Sequence, residues 1–177
     1  SSALIAELGP NLSAPELTTT CILLLNAGHE ATVHAMANGI KCLLETGTPP
    51  TDAAIEETLR FDPPLHLFER HAKSDCTVFG HTFKRGDTVA CLLASANRDA
   101  KIFENAETFI PTRTPNPLVS FGAGLHFCIG APLARLELQI GLKTLFQRHP
   151  NMNLAQIPQY ANTYHFHGLK SLQVTLD

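Results

Sequence analysis

The chain has 177 residues, a net charge of −3, 44% hydrophobic residues and only 16% charged ones. That length supports one buried core, two at most, and the near-neutral balance gives no electrostatic reason to expect nucleic acid or an anionic membrane as partner. Five scattered cysteines without a Cys-x-x-Cys spacing argue against a disulfide framework, and the absence of a leader or a long apolar run predicts a cytoplasmic protein.

Residues 1–8 read as the end of a helix broken at Gly9-Pro10. Ser13-Ala14-Pro15-Glu16 is a capping box with proline in the first turn, and the next proline is Pro49. This predicts a helix over residues 14–45, a rod on the order of 45 Å long. Cys21-Ile22-Leu23-Leu24-Leu25 is apolar all round, the pattern of a buried helix. In the middle of the rod Gly28, Ala31, Thr32 and Ala35 line one side with small side chains, and Glu30 and Thr32 set an acid and a hydroxyl beside them. Two readings stand: a tight helix crossing with a paired glutamate, or a surface that a flat molecule can approach.

Gly47-Thr48-Pro49-Pro50 breaks the rod, and Thr51-Asp52 can cap a second helix over residues 53–60. Glu57 and Arg60 share a face of it at i and i+3, a pair worth little if exposed. Leu65-His66-Leu67-Phe68-Glu69-Arg70 reads as extended, with Arg70 either a surface charge or a carboxylate ligand. Residues 77–79, 82–83 and 88–93 alternate like short strands of one small antiparallel sheet. Pro111, Pro115 and Pro117 keep the next stretch irregular. From Ala131 to His149, Leu138, Leu142 and Leu145 mark an amphipathic helix that also carries Arg135, Lys143 and Arg148.

Between these lies Phe121-Gly122-Ala123-Gly124-Leu125-His126-Phe127-Cys128-Ile129-Gly130. Its glycines permit a sharp turn and close approach to a flat partner, and the helix that follows points free N–H groups and a positive dipole end at the loop. A thiolate at Cys128 is favoured there. An isolated cysteine is most often a small buried hydrophobe. As a ligand, one soft sulfur on a rigid loop suits iron in a porphyrin better than tetrahedral zinc, which needs more thiols nearby.

Phe121, Gly122, Gly124, His126, Cys128 and Gly130 together resemble the haem-ligand loop of the cytochrome P-450 family, Phe-Gly-x-Gly-x-His-x-Cys-x-Gly. The resemblance implies the carboxyl-terminal portion of that mainly α fold with small antiparallel sheets, as a single haem-binding domain over residues 1–177 shortened at its amino end. It implies haem b (iron protoporphyrin IX), with Cys128 as iron ligand and His126 and Arg70 as propionate contacts. Ala27-Gly28-His29-Glu30 resembles the start of the family's oxygen-binding motif, which makes Ala27 and Gly28 cofactor contacts and Glu30 and Thr32 candidate proton carriers. The family's relay threonine falls on Ala31, which has no hydroxyl. Glu57-Thr58-Leu59-Arg60 resembles the Glu-x-x-Arg helix that fixes the meander before the cysteine loop, and residues 166–172 resemble the closing hairpin.

Two functions follow from the resemblance. The first is a haem-thiolate monooxygenase inserting oxygen from O2 or peroxide into a small apolar organic substrate, fed by a ferredoxin-type donor on a basic Cys128 side. The second is a non-catalytic haem-binding remnant, favoured by Ala31 and the short amino end. In either, the apolar surface of the long helix calls for a cover, a second copy of the chain or an amino-terminal segment.

Overall fold

The computed structural model describes residues 4–176; residues 1–3 of the first predicted helix lie outside them. Helix α1 (Leu4–Leu8) runs into a 3-10 turn at Gly9–Asn11, and helix α2 spans Ala14–Thr46. The start of α2 follows from chemistry visible in the sequence: Ser13 donates its backbone N–H at 2.8 Å and its hydroxyl at 2.6 Å to Glu16 Oε2. Gly47 ends it in the left-handed conformation, at φ 61°.

Helix α3 (Asp52–Phe61) begins with the Thr51 side chain accepting from Ala54 N–H at 3.2 Å. Strand β1 (Leu67–His71), strands β2 (Cys76–Val78) and β3 (His81–Phe83), and strand β4 (Thr88–Leu92) follow. The one small sheet expected from residues 77–93 is instead two ladders: β2 pairs with β3, while β4 reaches back to pair antiparallel with β1. A short helix α4 (Leu93–Ala96), which the strand-like alternation concealed, leads into an irregular meander. Helix α5 (Ala131–Arg148) and strands β5 (Asn153–Leu154), β6 (Gln159–Tyr160), β7 (Leu169–Ser171) and β8 (Val174–Thr175) complete the chain, with β5 on β8 and β6 on β7.

The core lies where α2, α3 and α5 meet, and joins Ala35, Leu43, Ala54, Ile55, Leu59, Leu138 and Leu142. Gly39 permits that meeting: a Cβ there would stand 3.2 Å from Leu142 Cδ1. Only the carboxyl-terminal part of α2 takes part, for its buried residues run from Ala35 to Leu43. The burial expected of residues 21–25 is therefore corrected: Ile22, Leu23 and Leu25 are 54%, 65% and 72% exposed, and Cys21 and Leu24 are only half-buried.

Candidate functional site

The meander between α4 and α5 is pinned by one buried ion-pair network. Glu57 and Arg60, both without side-chain exposure, form a two-pronged pair, Arg60 Nε to Glu57 Oε2 and Arg60 Nη2 to Glu57 Oε1, each 2.8 Å. Arg60 spends its remaining donors on the carbonyls of Asn97, Ala106 and Thr108 at 2.8–3.0 Å. Glu57 in turn accepts from Ile110 N–H, Arg113 and Asn116. Asn97 and Ser120 extend the hold: Asn97 Nδ2 donates to Ser120 Oγ at 2.7 Å, and Ser120 Oγ to Leu59 O at 2.6 Å. Asn97, Arg113, Asn116 and Ser120 escape a reading of the sequence, because their partners lie tens of residues away.

That hold delivers Phe121 to the start of the cysteine loop. Gly122 and Gly124 take φ of 70° and 69°, a region costly to any residue with a side chain. Gly122 N–H donates to Val119 O at 2.8 Å, Phe127 N–H to Gly124 O at 3.0 Å across the turn Gly124–His126, and Cys128 N–H to Phe121 O at 2.9 Å. These bonds close the loop on itself and leave its side chains outside: Cys128 is exposed, and Leu125 and Ile129 are over 90% exposed. A Cβ at Gly130 would stand 3.8 Å from Cys128 Sγ, an ordinary contact, so this glycine lies beside the sulfur without being forced by it. Helix α5 starts at the next residue, with Ala131 N–H donating to Cys128 O at 3.2 Å, so the positive end of its dipole lies at the base of the loop.

Arg135, one turn into α5, reaches Glu56 through two bonds of 2.8 and 2.6 Å and lies over the Phe121 ring, 4.4 Å from its centroid. The hydrogen bonds it donates to Glu56 hold the Arg135 guanidinium above its ordinary value against partial burial, with the Glu56 charge adding to them. Lys143 is likewise tied to Asp52 at 2.5 Å. The basic face read from Arg135, Lys143 and Arg148 is thereby corrected, since two of its three charges are neutralised by acids of α3.

The structure gathers Phe121, Gly122, Gly124, His126, Cys128 and Gly130 in one loop. It does not join them to the other candidates: among the described residues no hydrogen bond, ion pair or ring contact links Ala27, Gly28, Glu30, Thr32 or Arg70 to that loop. A Cβ on Gly28 would meet nothing within 4 Å, and Glu30 is exposed. Arg70, exposed on β1, donates to the neighbouring Glu69 carbonyl at 2.9 Å and has no carboxylate partner among the described residues. Thr32 and Glu30 fall on different sides of α2. Two residues along a helix are about 200° apart, and Thr32 lines an apolar groove with Met36, Leu145, Met152 and Val174 while its hydroxyl donates to Gly28 O at 2.8 Å.

An exposed sulfur on a glycine-cleared loop, an unpartnered arginine and an open small-residue stripe fit a large flat cofactor with one soft axial ligand and carboxylate arms. They do not fit tetrahedral zinc, for no other thiol stands with Cys128 among the described cysteines.

Comparison with known proteins bears on the same residues. The family model described as Cytochrome P-450 matches residues 46–152. A biotin biosynthesis cytochrome P-450 of Bacillus subtilis is 42% identical over 176 residues, covering 94% of this chain and 45% of its own. Among solved structures, P450BioI in complex with an acyl carrier protein carrying hexadec-9Z-enoic acid superposes with a TM-score of 0.88 at 42% identity, over 94% of this chain and 46% of that one. The tirandamycin C-bound monooxygenase TamI superposes with a TM-score of 0.90 at 32% identity, over 100% and 49%. The chain spans about half the length of the relatives it matches.

Proposed function

This chain belongs to the cytochrome P-450 family, whose members bind haem b through a cysteine thiolate, and we propose that it is the thiolate-bearing part of a monooxygenase acting on small apolar organic molecules. The observation that carries the reading is the exposed Cys128 on a loop closed by its own backbone and anchored, through Ser120 and the meander, to the buried Glu57–Arg60 pair. When bound, haem supplies the electron and oxygen chemistry that inserts oxygen from O2 or peroxide into the substrate.

Each residue has a part in serving it. Cys128 would hold the iron through its sulfur. His126 and Arg70 donate to the carboxylate arms. Phe121, Gly122, Gly124 and Gly130 shape the loop, and Ala27 and Gly28 leave room on the opposite helix. Glu30, exposed and without a partner among the described residues, holds and moves protons at its carboxylate. Thr32 does not share that task, because its hydroxyl is committed to Gly28 O. Leu65 and Leu67 offer an apolar surface ahead of Arg70, and the acyl chain on the carrier protein in complex with P450BioI is likewise largely apolar. A ferredoxin-type donor delivers electrons on the Cys128 side. Five free cysteines suit a reducing cytoplasm.

The test is the absorption spectrum of the reduced, carbon monoxide-bound protein after haem addition, beside a Cys128→Ala control. A strongly red-shifted Soret band that the control loses is expected; no haem uptake, or a band indifferent to the substitution, overturns the reading. Ala31 favours one second reading, a haem-binding module without oxygenase activity. Turnover with a ferredoxin donor or with peroxide, no better than free haem, would select it.

A further inference from the structure

At the far end of α3 the fold gathers ligating groups that share no hydrogen bond with the cysteine loop. Asp62 caps α3, His66 precedes β1 and His167 precedes β7; one carboxylate oxygen and two imidazole nitrogens from them all lie within 4.8 Å of one another. Asp62 Oδ1 stands 3.0 Å from His167 Nε2, about the spacing of adjacent donors that each sit ~2.1 Å from one ion. The group opens on a cleft of about 510 Å³ lined also by Phe61, Pro63, Arg98 and Tyr160, which gives an ion a way in.

The surroundings suit a cation. Lys41 lies 3.8 Å from Asp62 Oδ2, but Glu45 neutralises it at 2.9 Å, and Glu107 neutralises Arg98 at 2.5 Å, so Asp62 leaves the site one negative charge. Tyr160 O–H and Lys41 occupy Oδ2 and leave Oδ1 to face the histidines. Asn38 Nδ2 fixes the two backbones by donating to Asp62 O at 3.2 Å and to His167 O at 3.0 Å. Such outer contacts are what orient metal ligands. The His66 carbonyl accepts from Ala94 N–H at 3.3 Å, while its half-buried ring has no hydrogen bond among the described residues.

We propose that Asp62, His66 and His167 form a binding site for one divalent transition ion of zinc type, with its remaining positions open to water, which ties the closing hairpin to the end of α3. Two nitrogens and one carboxylate oxygen are a donor set for such ions rather than for calcium or magnesium. The His66 and His167 rings stack at 3.9 Å between centroids with a tilt of 24°, so one ring must swing to point both nitrogens at a common ion. His66, the unanchored one, is free to do so.

The experiment uses the 177-residue chain without a histidine tag, titrated with Zn2+ by calorimetry and with Co2+ by visible absorption. One ion per chain at micromolar concentration is expected, with a rise in Tm, and His66→Ala should weaken binding tenfold or more while His71→Ala, on the exposed β1 surface, leaves it unchanged. His66→Cys keeps a donor: it should restore zinc binding and add a sulfur-to-cobalt charge-transfer band absent from the parent. No saturable one-to-one binding, binding untouched by His66→Ala in a chain that keeps its near-ultraviolet circular dichroism, or no new band in His66→Cys would each overturn the site.

Discussion

Glu57 is a carboxylate with no exposure whose two oxygens serve Arg60, Ile110, Arg113 and Asn116. Removing its charge strands two guanidiniums, Arg60 wholly buried and Arg113 nearly so. Glu57→Gln is expected to cost about 3–5 kcal/mol, the range for breaking a buried pair from one side, read from the urea midpoint of unfolding. Glu56→Gln is the contrast. Its partner Arg135 is about a third exposed, so water takes over the lost interaction and the cost stays within about 1 kcal/mol. Both residues are glutamates one position apart, and nothing in their spacing separates them. The side of α3 on which each falls, inward for Glu57 and toward α5 for Glu56, decides the magnitude.

At the scale of the element, α2 divides into an end defined by local chemistry and a middle defined by its neighbours. The Ser13 hydrogen bonds hold the Glu16 carboxyl below its ordinary value. A depressed acid contributes stability that is present above its unfolded value and lost as pH falls through its folded one. The first turn of α2 is therefore expected to fray as the solution is acidified below the ordinary glutamate range, seen as faster amide exchange at residues 14–18, while the turns around Leu43 keep their protection. Unchanged exchange at both ends would refute a role for the cap. The closing hairpin shows the opposite dependence on tertiary structure: Gly168 has no room for a side chain because the His34 ring of α2 lies 1.9 Å from where a Cβ would be.

For the whole molecule, stability resides at the α2, α3 and α5 junction and the amino-terminal part of α2 contributes little to it. Leu43 is fully buried and Leu25 is 72% exposed, though both are leucines of one helix. Leu43→Ala is expected to cost about 2–5 kcal/mol, whereas Leu25→Ser should change stability by no more than about 0.5 kcal/mol, both read from thermal melting of this chain. An equal loss at both positions would mean that residues 21–25 are covered in solution. By itself the sequence determined what depends on neighbours along the chain: the capped start of α2, the breaks at Gly47 and Pro150, the glycine-shaped cysteine loop running into α5, and through that loop the family and its cofactor. Only the tertiary structure decided which charges are buried, which strands pair and which side chains stand together. Burial of Glu57, the return of β4 to β1, the pairing of Arg135 and Lys143 with α3, and the meeting of Asp62 and His66 with His167 all join residues far apart in sequence. Such contacts are set by how helices and strands pack, and periodicity records only that an element has an apolar face, not what that face will meet.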